Sequence, residues 1–225
     1  MIDKNEIFDE VKDNTGLWCA TDCVGADLAA AAGVAITNKL RAVSVSSDAI
    51  AEIWPWVENT NIKIIARFMV EQDIDVDFMS NLSSKISSAF REGANGAIVF
   101  VHMRNMEHFI TELKYIRDDL FFNKSLSIGL DINEIGHDDW ESVFKMLQSV
   151  RADSLTLFLS NDDGDKSDFV GRVYAMLKAN MADWHGTLSF IAGDNVVDRI
   201  DQFYRLAQLL RFDASQTMLF WVNKE

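Results

Sequence analysis

The chain has 225 residues, 48% of them apolar and 25% charged, with a formal net charge of −14. This composition is ordinary for a globular protein, and the length suffices for one large α/β core. The negative charge argues against nucleic acid or an anionic membrane as the partner, because both require clustered cations.

One proline and 11 glycines leave little sequence for linkers, so residues 1–225 read as a single domain. No apolar run reaches the roughly 20 residues of a membrane helix. Met1-Ile2-Asp3-Lys4-Asn5-Glu6 lacks a basic segment followed by an apolar one, so no leader is expected and a cytoplasmic location is. Cys19 and Cys23 would stand roughly 13 Å apart on an extended strand. That is beyond disulfide reach unless the strand ends between them, and small apolar filler is the expected role.

Residues 3–14 place Ile7, Phe8 and Val11 on one side, as a short amphipathic helix would. Leu17–Thr21 reads as a first strand, followed by a loop to Gly25 and an alanine-rich helix over Ala26–Leu40. The pattern then cycles. Ala42–Ser46 is a strand, and Ser47 or Asp48 can cap a helix running to Val57, which Pro55 should kink or divide. Asn61–Phe68 is the third strand; Ile62, Ile64, Ala66 and Phe68 oppose Lys63, Ile65 and Arg67. A helix over 76–92 carries Met79, Leu82, Ile86 and Phe90 at helical spacing, with Gly93 as its C-terminal cap.

Ala97–His102 is the fourth strand, and Met106, Phe109, Leu113 and Ile116 mark its helix. In the fifth strand Leu126, Ile128, Leu130 and Ile132 oppose Ser127, Gly129, Asp131 and Asn133. A helix with Trp140, Phe144 and Leu147 precedes the sixth strand, Ala152–Ser160. There Leu155, Leu157 and Leu159 oppose Thr156, Phe158 and Ser160. A helix over 166–181, a strand over Thr187–Gly193, a helix with Phe203 and Ala207, and a strand over Met218–Val222 complete the chain.

Regular strand–helix alternation implies parallel strands with right-handed crossovers. Eight such units fit a (β/α)8 TIM barrel with an N-terminal helix and no final eighth helix. The gap left in the helical ring would be covered by the N-terminal helix or by a second subunit, so a homo-oligomer is one expectation. The pure Leu/Ile/Val/Ala face that most strands carry should lie under helices, and the mixed face should line the barrel interior; for the first and eighth strands either parity is open.

Barrel sites lie at the C-terminal ends of the strands. The inward residues near those ends are Ser46, Arg67, His102, Asp131, Asn133, Thr156, Ser160, Gly193 and Asp194, with Thr21, Asp22 and Lys224 as less defined additions. Arg67, His102 and Asp131 form the candidate catalytic set. A guanidinium, an imidazole and a carboxylate from three consecutive strands can bind a small polar or anionic metabolite and move a proton. The alternative is a structural ion pair between Arg67 and Asp131, with His102 hydrogen-bonded beside it. No cofactor is implied. The spacing of Asp22, Asp131 and Asp194 demands no metal, and Asp162, Asp163 and Asp165 lack the full calcium-loop pattern. Trp18, Trp54, Trp56 and Trp140 read as packing residues rather than a stacking platform.

Several stretches resemble the deoxyribose-phosphate aldolase-like class I aldolases. Ala42–Ser47 followed by a helix and Ile62–Phe68 resembles that family's second and third strands. Arg91-Glu92-Gly93-Ala94-Asn95-Gly96, Arg151-Ala152-Asp153-Ser154-Leu155 and Ala192-Gly193-Asp194-Asn195-Val196 are similar to its approaches to, or turns after, strands four, six and seven. The resemblance implies the barrel, and its departures bear on activity. The family's Schiff-base lysine on the sixth strand corresponds to Thr156, its second lysine to Ile191, and its assisting acid to Ile98. Some of its phosphate site lies after strand eight, where Val222 is followed by three residues. Lys63, near the N-terminal end of its strand, is badly placed as a substitute amine. Two functions follow as expectations. One is an aldolase-like barrel without Schiff-base chemistry, a non-catalytic or regulatory metabolite-binding protein. The other is a lyase or isomerase acting by acid/base catalysis on a small polar carbonyl or sugar-like compound.

Overall fold

The computed structural model describes residues 14–69, 76–120, 123–158, 166–179, 184–192, 196–213 and 217–222. Eight strands follow in order: β1 Thr15–Trp18, β2 Ala42–Ser46, β3 Lys63–Met69, β4 Gly96–Phe100, β5 Ser125–Asp131, β6 Ser154–Phe158, β7 Thr187–Ala192 and β8 Met218–Val222. All pair in parallel with their sequence neighbours, and β1 pairs with β8 to close the barrel. Among the described residues seven helices link consecutive strands: α1 Ala26–Thr37, α2 Ile50–Val57, α3 Val76–Arg91, α4 Met106–Leu120, α5 Trp140–Ser149, α6 Lys166–Lys178 and α7 Val196–Leu210. This is the expected barrel, and no described helix follows β8. No described helix is long and apolar enough to cross a membrane. The predicted N-terminal helix lies outside the described residues except at Asn14.

The two-faced strands sort as their alternation requires. Val43, Val45, Ile64, Ala66, Val99, Leu126, Ile128, Leu130, Leu155 and Leu157 are buried in the layer between sheet and helices. The helices return the same pattern through Leu28, Ile53, Ile86, Leu113, Phe144, Val173 and Phe203. A smaller, separate cluster of Ala42, Ile65, Ile98, Phe100, Ile191 and Phe220 fills the waist of the barrel interior. Two strand glycines make it possible. A Cβ on Gly16 would stand 2.7 Å from the Phe220 ring, and one on Gly129 would collide with the Phe100 ring.

Two of the motifs that carry the family resemblance, those with Asn95 and Asp153, hold strand starts at the N-terminal end. Asn95 Oδ1 accepts the Ile64 N–H at 2.8 Å. Asp153 has the same role farther round the barrel: Oδ2 accepts the Leu126 N–H at 2.7 Å, and both oxygens accept from Arg117. Each supplies a side-chain acceptor to the amide of the second residue of a strand, β3 or β5, at the end where the neighbouring strand has not yet begun.

Two expectations need correction. Strand β1 ends at Trp18, three residues before the predicted end, so Thr21 and Asp22 sit in a turn and both cysteines follow the strand. Cys19 and Cys23 are free thiols. Pro55 does not divide its helix, which runs unbroken over Ile50–Val57. The amide that proline lacks would have bonded the carbonyl of Ala51, an exposed residue whose carbonyl water can serve. Gly93 caps α3 as expected, with a φ of +116° and Ala94 N–H bonded to Ala89 O at 2.9 Å.

Candidate functional site

The aromatic waist divides the barrel interior into two cavities. The lower, of about 160 Å3, faces the N-terminal end and is lined by Lys63, Ser127, Ser154, Thr156 and Ser189 among others. The upper, of about 460 Å3, lies at the C-terminal mouth. Its wall includes Trp18, Ser46, Arg67, Phe100, His102 and Phe158, with Thr21, Met69, Asp131 and Glu134.

Arg67 is the residue that defines the upper cavity. Parity on β3 sends its side chain inward, next to the strand's exposed last residue, Met69. The residue is 6% exposed. Its guanidinium carbon lies 4.2 Å from the centroid of the Trp18 ring, and Nη2 donates to Ala20 O across a long 3.4 Å. Trp18 is held beneath it by edge-to-face contacts with Phe100 and Phe220, centroids 5.8 and 5.9 Å away. Among the described residues no carboxylate pairs with Arg67. Burial accordingly pulls its pKa down to about 10, so it remains charged at neutral pH.

The carboxylates of the mouth are engaged elsewhere. Asp131, the last residue of β5, accepts the Asn133 N–H at 2.8 Å. Glu134 bridges the loops after β4 and β5: Oε1 stands 2.7 Å from His102 Nδ1, and Oε2 accepts the Met103 N–H at 3.0 Å. An ionised carboxylate can only accept, so Nδ1 carries the proton and Nε2 is left as the basic atom. The loop bearing Glu134 is itself held from α6. Arg172 Nη1 donates to the carbonyls of Ile132, Asn133 and Ile135, the last at 2.6 Å. The alternative of an Arg67–Asp131 ion pair with His102 beside it is therefore not what forms.

Of the residues singled out in the sequence, Ser46, Arg67, His102, Asp131 and Thr21 meet at the upper cavity. Thr156 does not. It is the third residue of β6, 1% exposed below the waist, and its Oγ1 lies 2.6 Å from Ser127 Oγ. Two further residues along β6 would be needed to reach the mouth, and Phe158 takes that place. Asn133 is exposed in the loop beyond β5 and does not line the cavity. Ser160, Gly193, Asp194 and Lys224 lie outside the described residues. Trp140 packs in the core as expected, whereas Trp54 and Trp56 are 41% and 56% exposed. Trp18 belongs to the site rather than to general packing.

Glu134, Arg172 and Trp18 were not evident as site residues. Glu134 ends a single 3-10 turn, Ile132–Glu134, too short to show a period; its single trace is an acid three positions after Asp131. Arg172 acts on backbone carbonyls, which no side-chain pattern announces. Trp18 enters the site because β1 ends at it, and the residue pattern over 17–21 does not mark that end.

No protein-family model matches the chain, and no curated protein sequence matches it. Solved structures do. A protein of Toxoplasma gondii ME49 assigned as a deoxyribose-phosphate aldolase superposes with a TM-score of 0.76 at 14% identity, over 97% of this chain and 91% of that one. The tetrameric deoxyribose phosphate aldolase of Aeropyrum pernix gives 0.69 at 10% identity, over 97% and 91%. A 2,3-dimethylmalate lyase of the PEP mutase/isocitrate lyase superfamily gives 0.54 at 9% identity, over 98% and 81%. At these identities the similarity is one of fold, and the fold is an aldolase-type barrel.

Proposed function

We propose that the C-terminal mouth binds a small anionic carbonyl compound and performs acid/base chemistry on it, as a lyase or isomerase that forms no Schiff base. One observation supports this reading above the others. A single cavity holds a buried guanidinium without a carboxylate partner among the described residues, together with an imidazole oriented by a carboxylate. A buried charge left unpaired is costly, and a ligand anion would compensate it. None of the described residues lining that cavity is a lysine, and the position matching the family's nucleophile is Thr156.

In this reading Arg67 fixes the ligand's anionic group, and Nε2 of His102 takes a proton from the carbon beside the carbonyl. The C–H electron pair moves to the carbonyl oxygen as an enolate, and Glu134 stabilises the imidazolium that forms. His102 is the catalytic residue and Glu134 a positioning residue. Return of the proton to another carbon completes an isomerisation; cleavage of a neighbouring bond completes a lyase reaction.

The test is exchange of solvent deuterium into 2-oxo acids, followed by proton NMR. Wild type should exchange, His102→Gln should lose about a hundredfold or more, and Glu134→Gln should lose less while shifting the pH profile. Borohydride should trap no adduct on any lysine; a trapped adduct would restore Schiff-base chemistry. The burial of Thr156 against Ser127 supports a second reading, a barrel that binds a metabolite without turnover, for which no carbonyl compound would exchange.

A further inference from the structure

We infer that the ligand of the upper cavity is an aryl or arylalkyl carboxylate, a monoanion with a flat apolar body, rather than a sugar phosphate. This rests on the ligand site of the preceding reading and names the class of molecule that fills it.

Charge limits the head group. Among the described residues the cavity presents one guanidinium, Arg67, and two carboxylates, Asp131 and Glu134, with His102 bound to the second. A dianionic phosphate would gain one cation and meet two like charges across a cavity only a few side chains wide. A carboxylate matches the single guanidinium, which can receive it through two parallel N–H···O bonds. The Trp18 ring, 4.2 Å from the guanidinium carbon, covers one side of the group and so restricts the directions from which a ligand can reach those donors.

The walls limit the body. Trp18, Phe100 and Phe158 line the cavity with aromatic carbon, and Met69 adds a thioether at the rim. Phe158 is 40% and Met69 67% exposed, so both carry apolar surface that a bound molecule would remove from water. A polyhydroxylated sugar would need a partner for every hydroxyl; Thr21, Ser46, His102, Asp131 and Glu134 could serve some, but hydroxyls laid against the aromatic and thioether walls would find none. A ring seated against Phe158 and Met69 with its carboxylate on Arg67 satisfies both ends. The volume of about 460 Å3 is suitable for a molecule of that size.

The test is calorimetric titration of the intact protein with phenylacetate, acetate and 2-deoxyribose 5-phosphate. Phenylacetate should bind more tightly than either of the others. Arg67→Gln should weaken phenylacetate by about thirtyfold or more, the usual result of removing one partner of a buried charge pair. Phe158→Ala, a change at an exposed position, should lower the ratio of phenylacetate to acetate affinity by about fivefold or more. Tighter binding of the sugar phosphate, no binding of phenylacetate at millimolar concentration, or unchanged phenylacetate affinity in folded Arg67→Gln overturns the inference. Loss of the exchange chemistry with phenylacetate binding intact refutes the catalytic reading and supports this one.

Discussion

Replacing Arg67 by methionine should make the unliganded protein more stable and abolish its anion binding. The buried guanidinium falls from 12.5 to about 10, which corresponds to about 3 kcal/mol against its charged form. Against this stand the stack on Trp18, about 2 kcal/mol for a desolvated cation, and one long hydrogen bond to Ala20 O. Methionine keeps much of the chain length, fills the same slot and adds apolar contact with Trp18. The balance favours Arg67→Met by about 1 kcal/mol, which raises Tm by roughly 2–4 °C for a chain of this size. Urea and thermal unfolding of both proteins, without ligand, measure it. A loss of stability approaching the 3–5 kcal/mol that follows breaking a buried ion pair would refute the reasoning. It would mean that Arg67 has a structural partner and that the mouth is a scaffold.

Asp153→Ala should cost about 2–4 kcal/mol, because it leaves the Arg117 guanidinium and the Leu126 amide without their shared acceptor; chemical denaturation reads it, and a change below about 1 kcal/mol contradicts the strand-start role. Burial first and the neighbouring Cys23 second push the Cys19 thiol from 9.0 up to about 12. The folded chain then holds a proton that the unfolded chain loses, so this group's stabilisation is complete below 9.0 and falls as pH rises toward about 12. Tm should decline across that window, and Cys19→Ala should flatten the decline. Arg172→Ala should reduce the Glu134-dependent share of His102 reactivity, seen as slower deuterium exchange with little change in phenylacetate affinity, because Arg172 holds the Glu134 loop and not the ligand.

The barrel was legible because its physics is periodic. β5 and β6 alternate with period two, the helices repeat near 3.6, and the apolar faces of β2 to β6 lie under the helices as their alternation demands. Arg67, His102 and Asp131 were legible as one mouth for the same reason: strand parity and position near a C-terminal end suffice to place them. Their pairings were not. Whether Arg67 meets Asp131 or stacks on Trp18 depends on side-chain reach and on where β1 stops, and neither has a period. Glu134 shows the same limit, since a loop carboxylate is placed by contacts from Met103 and Arg172 rather than by its own neighbours. Asn95 and Asp153 show a different one. They carried the family resemblance, and the structure gives them strand-start hydrogen bonds at the opposite end of the barrel from the mouth. Such motifs identify a fold more readily than an activity.

The most direct test of the ligand site is a crystal structure of the protein with phenylacetate bound. The carboxylate should lie within hydrogen-bonding distance of the Arg67 guanidinium, the ring against Phe158 and Met69, and His102 should still be bonded to Glu134. An Arg67 side chain paired with a protein carboxylate, or phenylacetate seated away from the upper cavity, would contradict it.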